Sequence, residues 1–472
     1  MINKVVLNFY MRQLYFFLLL TVSSLSAQDF SSVDNTVHSY PKLITAEKLA
    51  TKIASDFTTD ENKIRAVFIW LAKNVTYNLE ESYNPKQKRI AFRYRNEAEK
   101  QAKIKAIKDN IDKITVDGDK LIFTLKIPSK LQLPIFTFEI SKKIDGTLYG
   151  TGPFKIDSYS PGENIIVKKN RYYWEKTSGN LDVVEFKIIK DTQSAIMSMQ
   201  MGEVDLIAKL EPQYLDLINQ KDFTIVKGEQ NLVQQLSINN SKSPLNNLKV
   251  REAIAYAINK NDIINGVSMG EAKACGSGVS PIVKAYYNPE TENIFKYNIE
   301  KSKELLKEAG YENGLNLNLK VASNYGFNVD TAQVIKEELG KAGINVQLDE
   351  VEWGSWLENV YSNRNYDLTV IGFDGKIDPY QTLERYISNN KRNFQNFNNK
   401  EFDSVMNEIK LETNQNKLKE LYKKAQYILT KNVASVFIQA PNYIVVMNKK
   451  LSGYVIYPVY VQDLSVIKIN NK

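Results

Sequence analysis

One histidine, His38, and one cysteine, Cys275, are all that this 472-residue chain offers of the two side chains most used for nucleophilic and metal chemistry. A single thiol forms no internal disulfide and no thiolate metal cage. A single imidazole builds no His-pair metal site and leaves a Ser-His-Asp triad poorly supplied. Paired carboxylates remain a route to acid–base chemistry, yet no spacing among the 54 acidic residues singles out a pair. The inventory therefore points away from an enzyme, and no cofactor or metal is expected. Cys275, in EAKACGSGVSP, is expected to be an inert buried thiol, with a reactive or intermolecularly paired thiol as the alternative.

The formal charge of +8 and the pI near 9.0 raise the question of nucleic acid or an anionic surface. The lysines answer it, since they are spread along the chain and interleaved with acids, as in Glu300 to Glu308. That is the pattern of a solvated face, and no nucleic-acid partner is expected. Near the start, Lys4 and Arg12 precede the apolar run Leu14 to Val22, with small residues up to Ala27. This run is too short to span a bilayer and reads as a cleaved export signal, residues 1–27. No cysteine follows to carry a lipid, so the expected mature form is free in the periplasm or outside the cell.

Positioning falls to an alternation of strands and helices. A helix is expected from Glu61 to about Asn74, capped by Asp60. A β-hairpin follows, Ile114 to Val116 against Leu121 to Ile127, around Asp117-Gly118. Further on come a strand at 181–189 and a helix at 192–201 closed by Gly202. A helix at 248–259 carries Val250, Ile254, Ala257 and Ile258 on one face and Arg251, expected to make an ion pair, on another. Lys301 to Ala309 is helical. Then a strand through Leu315, Leu317, Leu319 and Val321 leads to a helix at 331–342, a strand at 344–348 and a buried strand at 368–372. Such order implies parallel or mixed sheets flanked by helices, an α/β fold.

Four phrases in this α/β region carry a resemblance: GTGPFKI at 150–156, NRYYW at 170–174, MGEVDLI at 201–207 and KVREAIAYAINK at 249–260. In this order they resemble the family 5 extracellular solute-binding proteins, the capture subunits of ABC importers for peptides, nickel complexes and similar solutes. The resemblance covers about 104–472 and implies a two-lobed periplasmic binding protein. The first lobe would be 147–245 plus 450–472, the second 246–449, and 104–146 the end of a small extra domain. It implies a ligand cleft reached along an alternating strand through Gln234 and Leu236 to Asn239. The cleft would also be lined by Trp353 in VEWGSW and Phe373 in IGFDGKIDPY. Peptide binders of the family place an acid after the latter position to pair the peptide ammonium, because a buried charge needs a partner. By count Lys376 stands there, with Asp374 before it and Asp378 after. A cleft-facing Lys376 favours an anionic solute or ligand carboxylate; Asp374 in that role preserves peptide binding.

The segment 28–103 reads as helical. Its phrases ENKIRAVFIWLAKNVTYN and KRIAFRYRNEAEKQAK are similar to the start of secreted bacterial transglutaminase-like domains. That family's cysteine and histidine have no counterparts in the stretch that follows. Family 5 members begin with first-lobe strands that are not recognisable here, so an incomplete first lobe is expected. The function implied is solute capture for a membrane permease by a monomer, the ligand being a peptide or similar solute. A nickel-complex binder, or a non-functional fusion with a catalytically dead N-terminus, is the alternative.

Overall fold

A computed structural model of the chain describes residues 151–470 except Ile377 and Tyr460, together with residues 52–53, 55–58 and 126. It also describes the backbone of five earlier strands: β1 (Lys4–Asn8), β2 (Ile111–Asp117), β3 (Lys120–Leu125), β4 (Ser141–Ile144) and β5 (Thr147–Gly150). Most of the expected transglutaminase-like segment, and the helix expected at 61–74, lie outside the described residues. The hairpin expected around Asp117-Gly118 is present, as β2 paired antiparallel with β3.

From Phe154 the order is continuous. β6 (Phe154–Ser160), β7 (Asn164–Lys169) and β8 (Val183–Lys187) lead to α1 (Thr192–Gln200) and β9 (Leu206–Ile207). β10 (Phe223–Glu229) and β11 (Leu232–Ile238) precede α2 (Leu248–Ala257), α3 (Lys260–Gly266) and β12 (Ala272–Ala274). α4 (Ile299–Glu308), β13 (Leu315–Ala322), α5 (Gly326–Lys341) and β14 (Ile344–Val351) form the strand–helix–strand unit and the helix before it. α6 (Trp353–Trp356), β15 (Leu368–Asp374), α7 (Pro379–Leu383), α8 (Lys400–Leu411) and α9 (Gln415–Lys431) follow. β16 (Ser435–Asn448), β17 (Leu451–Ser452) and β18 (Lys468–Ile469) close the chain.

The main sheet runs β14-β13-β15-β11-β16-β9-β1-β8-β7-β6, with β10 and β12 also paired to β16. β16 is the spine. Its first half pairs with β11, its second half with β10, and Pro441 to Gln439 in the middle with β12. β11 in turn pairs with β15. The chain therefore passes between the two sheet halves at Gln230–Asn231 and again near Ala440–Pro441. The expected lobe boundaries near 245 and 449 lie several residues beyond these two crossings. The parallel strand β1 lies between β8 and β9, within the stretch expected to be an export signal.

Two layers of helix hold the second half. α2, α4 and α5 cover one sheet face, burying Ile254, Leu306, Ile335 and Leu339 against Leu319, Ile344 and Leu368. α8 and α9 contribute Phe402, Met406, Tyr422 and Leu429 to a second core that includes Phe437. Sandwiched so, β11 is buried at nearly every position rather than alternating as expected. A central strand with helices on both faces has no solvent side. In the first half, α1 packs Ile196 and Met199 on Ile207 and Val446, while Val184, Leu206 and Val445 pack with the C-terminal Leu464 and Ile467.

Among the described residues Arg251 has no ion-pair partner of the kind expected. Its guanidinium donates to the carbonyls of Leu245 (2.8 Å), Asn432 (3.0 Å) and Val433 (3.3 Å). Those last two carbonyls follow α9, whose end is otherwise short of donors and carries partial negative charge. Burial lowers the pKa of this arginine to about 10. GTGPFKI and NRYYW also explain each other: Asn170 donates its side chain to the Gly152 carbonyl (3.0 Å) and its amide to Pro153 (2.8 Å).

Candidate functional site

Glu352 starts the site. Its carboxylate accepts from the amides of Gly354 (2.6 Å) and Ser355 (3.3 Å), satisfying orphan donors at the start of α6 and turning the chain off β14. One short helical stretch then brings Trp353 and Trp356 together, their rings stacked at 5.1 Å and 6°. The buried Trp356 is pinned by its indole N–H to the Thr369 hydroxyl on β15 (2.9 Å). Tyr325, just before α5, meets Trp353 edge-on at 5.3 Å. Phe373, near the end of β15, packs against Phe394 at 6.1 Å. The Arg385 guanidinium lies 3.7 Å above the Phe373 ring, close enough for a cation–π attraction. Trp353 and Phe373 both retain partial exposure. The structure thus joins the two expected aromatics in one cluster with Tyr325, Trp356, Tyr361 and Phe394.

Beyond Phe373 the three charged candidates separate in character. Asp374 is exposed at the tip of β15. Lys376 is half-buried; its amide donates to the Thr382 hydroxyl (3.2 Å) and its carbonyl accepts from the Asn231 side chain (3.2 Å). Asp378 has structural work. Its carboxylate caps α7 by accepting from the Tyr380 amide (2.9 Å), and it accepts the Tyr422 hydroxyl at 2.5 Å. Burial raises its pKa above the ordinary carboxylate value, against the lowering effect of the Tyr422 hydroxyl.

Asn239 does not join this group. In the β11–β15 register Val233 faces Phe373 and Ile238 faces Leu368, so Asn239 lies at the opposite end of β15, about 20 Å from Phe373 at the usual rise per residue. It is buried, and it donates to the carbonyls of Arg364 (3.0 Å) and Tyr366 (3.1 Å). Its oxygen accepts from Ser241 (3.1 Å) and Asn396 (2.8 Å). This side chain secures the turn into β15. Gln234 is buried too, donating to Asn328 (2.8 Å) and accepting from Gln439 (2.7 Å) and Thr331 (3.2 Å). It bridges β11, β16 and α5.

Sequence reasoning missed Arg385, Tyr325 and Phe394. Each lies outside the two phrases that attracted attention, and only the density of aromatic residues between 353 and 397 hinted at a cluster. Cys275 is buried, its thiol donating to the Ser277 carbonyl (3.1 Å), and burial pushes its pKa up to about 11. Among the described residues no group of three or more His, Cys, Asp and Glu side chains could hold a metal ion. No described helix is long and apolar enough to cross a membrane.

Comparison with known proteins places this geometry. The family model for bacterial extracellular solute-binding proteins, family 5 Middle, matches residues 70–394. That match begins well before residue 104, inside the segment likened to transglutaminase-like domains, and no comparison supports that likeness. The dipeptide-binding protein of Escherichia coli is 28% identical over 327 residues, 67% of this chain and 60% of its own length. Heme-binding protein A of Haemophilus influenzae is 30% identical over 329 residues, 67% of this chain and 58% of its own length. The chain thus spans about three-fifths of these two relatives. Among solved structures, the periplasmic binding protein DppA of Helicobacter pylori, in complex with the peptide STSA, superimposes with a TM-score of 0.67. It is 26% identical and aligns over 82% of this chain and 78% of its own. With a two-lobed α/β architecture and a family match over more than half its length, this chain belongs to the bacterial extracellular solute-binding proteins, family 5.

Proposed function

We propose that the chain is the extracytoplasmic solute-binding subunit of an ABC importer, capturing a peptide or similar solute between its lobes and delivering it to a membrane permease. It acts without catalysis, as a monomer, outside the cytoplasm; the placement of Lys4–Asn8 as a strand between β8 and β9 speaks against removal of residues 1–27 as an export signal. The observation that carries this reading is the partly exposed aromatic pair Trp353 and Phe373, held by buried neighbours close to the strands on which the chain crosses between lobes. Such a surface suits a flexible ligand: rigid rings supply contact area at low entropy cost, and backbone and charge groups at the rim set orientation. Asp374, at the exposed tip of β15, is the acid placed to meet a ligand ammonium, and Lys376 or Arg385 the cation placed to meet a ligand carboxylate, each in exchange for contacts it makes in the ligand-free chain. Closure follows ligand only insofar as the closed state binds it better than the open one.

The test is a thermal-shift screen of the purified chain against short peptides, nickel complexes and small organic anions. Ligand at a hundred times its Kd stabilises the native state by about 2.7 kcal/mol, a readily measured rise in midpoint. Peptides are expected to give that rise. A response to nickel complexes alone would replace the peptide reading, and a chain that responds to nothing, yet unfolds cooperatively, would overturn the solute-binding one.

A further inference from the structure

Asn231 lies in the two-residue join between β10 and β11, where the chain first crosses from one lobe to the other, and it is 2% exposed. Three of its groups reach in two directions. Its amide donates to the Pro458 carbonyl at 2.7 Å, in the C-terminal segment that packs on the first lobe. Its carbonyl accepts from the Gly375 amide at 2.6 Å, and its side-chain amide donates to the Lys376 carbonyl at 3.2 Å, both immediately after β15 of the second lobe. The fit is close: a Cβ built on Gly375 would stand 1.9 Å from the Asn231 side-chain oxygen. No residue other than glycine fits at 375 while Asn231 keeps this pose.

We infer that Asn231 is a positioning residue that ties the ligand-facing stretch after Phe373 to the hinge, so that the angle between the lobes and the placement of Gly375 and Lys376 are set together. Two features make the coupling stiff. Downstream, the same stretch is anchored to the second lobe by the Lys376 amide on Thr382 and by Asp378 on Tyr422 (2.5 Å). Upstream, Gly228 of β10 lies against Ile456, where a Cβ would meet the isoleucine side chain at 2.8 Å, so the first-lobe side of the join is packed as well. A movement of β10 relative to β11 must then pass through Asn231, and it arrives at the backbone that would meet solute. The ligand side of this inference rests on the solute-binding reading; the mechanical side does not.

Small-angle X-ray scattering, site-resolved hydrogen exchange and peptide titration of the ligand-free protein and of Asn231→Ala, Asn231→Ser and Gly375→Ala decide it. The expected result is an altered distribution of interlobe separations in all three variants, and at least tenfold faster exchange of the amide at position 375 in Gly375→Ala, whose added Cβ must displace Asn231; the Asn231 variants keep the backbone carbonyl that this amide bonds. Affinity for trialanine should fall about tenfold, with one cooperative unfolding transition retained. A purely structural role would lower the unfolding midpoint and leave the scattering of the folded protein unchanged. Wild-type scattering in both Asn231 variants would overturn the inference. If Gly375→Ala fails to fold, the two Asn231 variants carry the test. If wild type does not bind trialanine, the titration speaks against the peptide reading alone, while scattering and exchange still decide the coupling.

Discussion

Replacing Asp378 separates a structural carboxylate from a ligand-binding one. Its side chain makes two contacts that alanine cannot: the cap on the Tyr380 amide and the acceptance of the Tyr422 hydroxyl. Loss of an N-cap costs about 1 kcal/mol. Loss of the acceptor for a buried hydroxyl costs a further 1–3 kcal/mol or so, because the tyrosine O–H is left as a buried donor with no acceptor. Asp378→Ala should therefore lower unfolding free energy by about 2–4 kcal/mol, read as a lower urea midpoint at unchanged slope. Asp378→Asn keeps a capping oxygen and should lose less than about 1 kcal/mol. Neither variant, assayed calorimetrically where it is fully folded, should change peptide affinity more than about threefold, whereas Asp374→Ala should weaken it by tenfold or more. The reasoning fails if Asp378→Ala unfolds like wild type yet loses affinity tenfold, since the carboxylate would then belong to the ligand.

Trp353→Ala removes a ring stacked on Trp356 and met edge-on by Tyr325; stability should fall by about 1 kcal/mol from the lost ring pairs, and calorimetry should show at least a tenfold loss of peptide affinity. Glu338 is buried with its pKa pushed up to about 7 by desolvation, above its ordinary value of 4.5, and its carboxylate accepts the Asn259 amide (2.9 Å). A raised carboxylate pKa means the native state holds the proton more tightly, so this contribution to stability is full below pH 4.5 and is lost as pH rises through 7. Urea midpoints at pH 5 and pH 8 should thus fall more in wild type than in Glu338→Gln; parallel falls would contradict the assignment. Cys275, buried and with its thiol pKa raised to about 11, should react with a chromogenic disulfide reagent only on unfolding, and rapid labelling of native protein would contradict its placement.

Much of the architecture was legible from local signals. Gly202, Gly310 and Gly343, read as helix ends, all adopt positive φ, at 78°, 87° and 88°. The alternation of Leu315, Leu317 and Leu319 marked β13, whose inward residues are buried as that period requires. The site was legible only in part. Trp353 and Phe373 share a cluster because α6 and β15 meet in space, and their two phrases pointed there. Asn239 misled because an asparagine's polarity says nothing of whether it faces a ligand or closes a turn; its four bonds come from residues up to 157 positions away. Arg251 misled likewise, since its carbonyl partners after α9 are distant in sequence and carry no charge in the one-letter code. β11 defeated the alternation rule because its second covering layer comes from helices almost two hundred residues further on.

The single strand β16 sets a clock on the making of this protein. It comes off the ribosome about two hundred residues after β10 and β11, at Ser435–Asn448, yet the sheets of both lobes are closed upon it. Until it emerges, β10 and β11 present bare edges, and neither lobe has its central pairing partner. The nascent chain consequently keeps these edges open while the roughly two hundred intervening residues are made. Once β16 docks, both halves mature in the same step, and for the same reason neither can be lost without loosening the other.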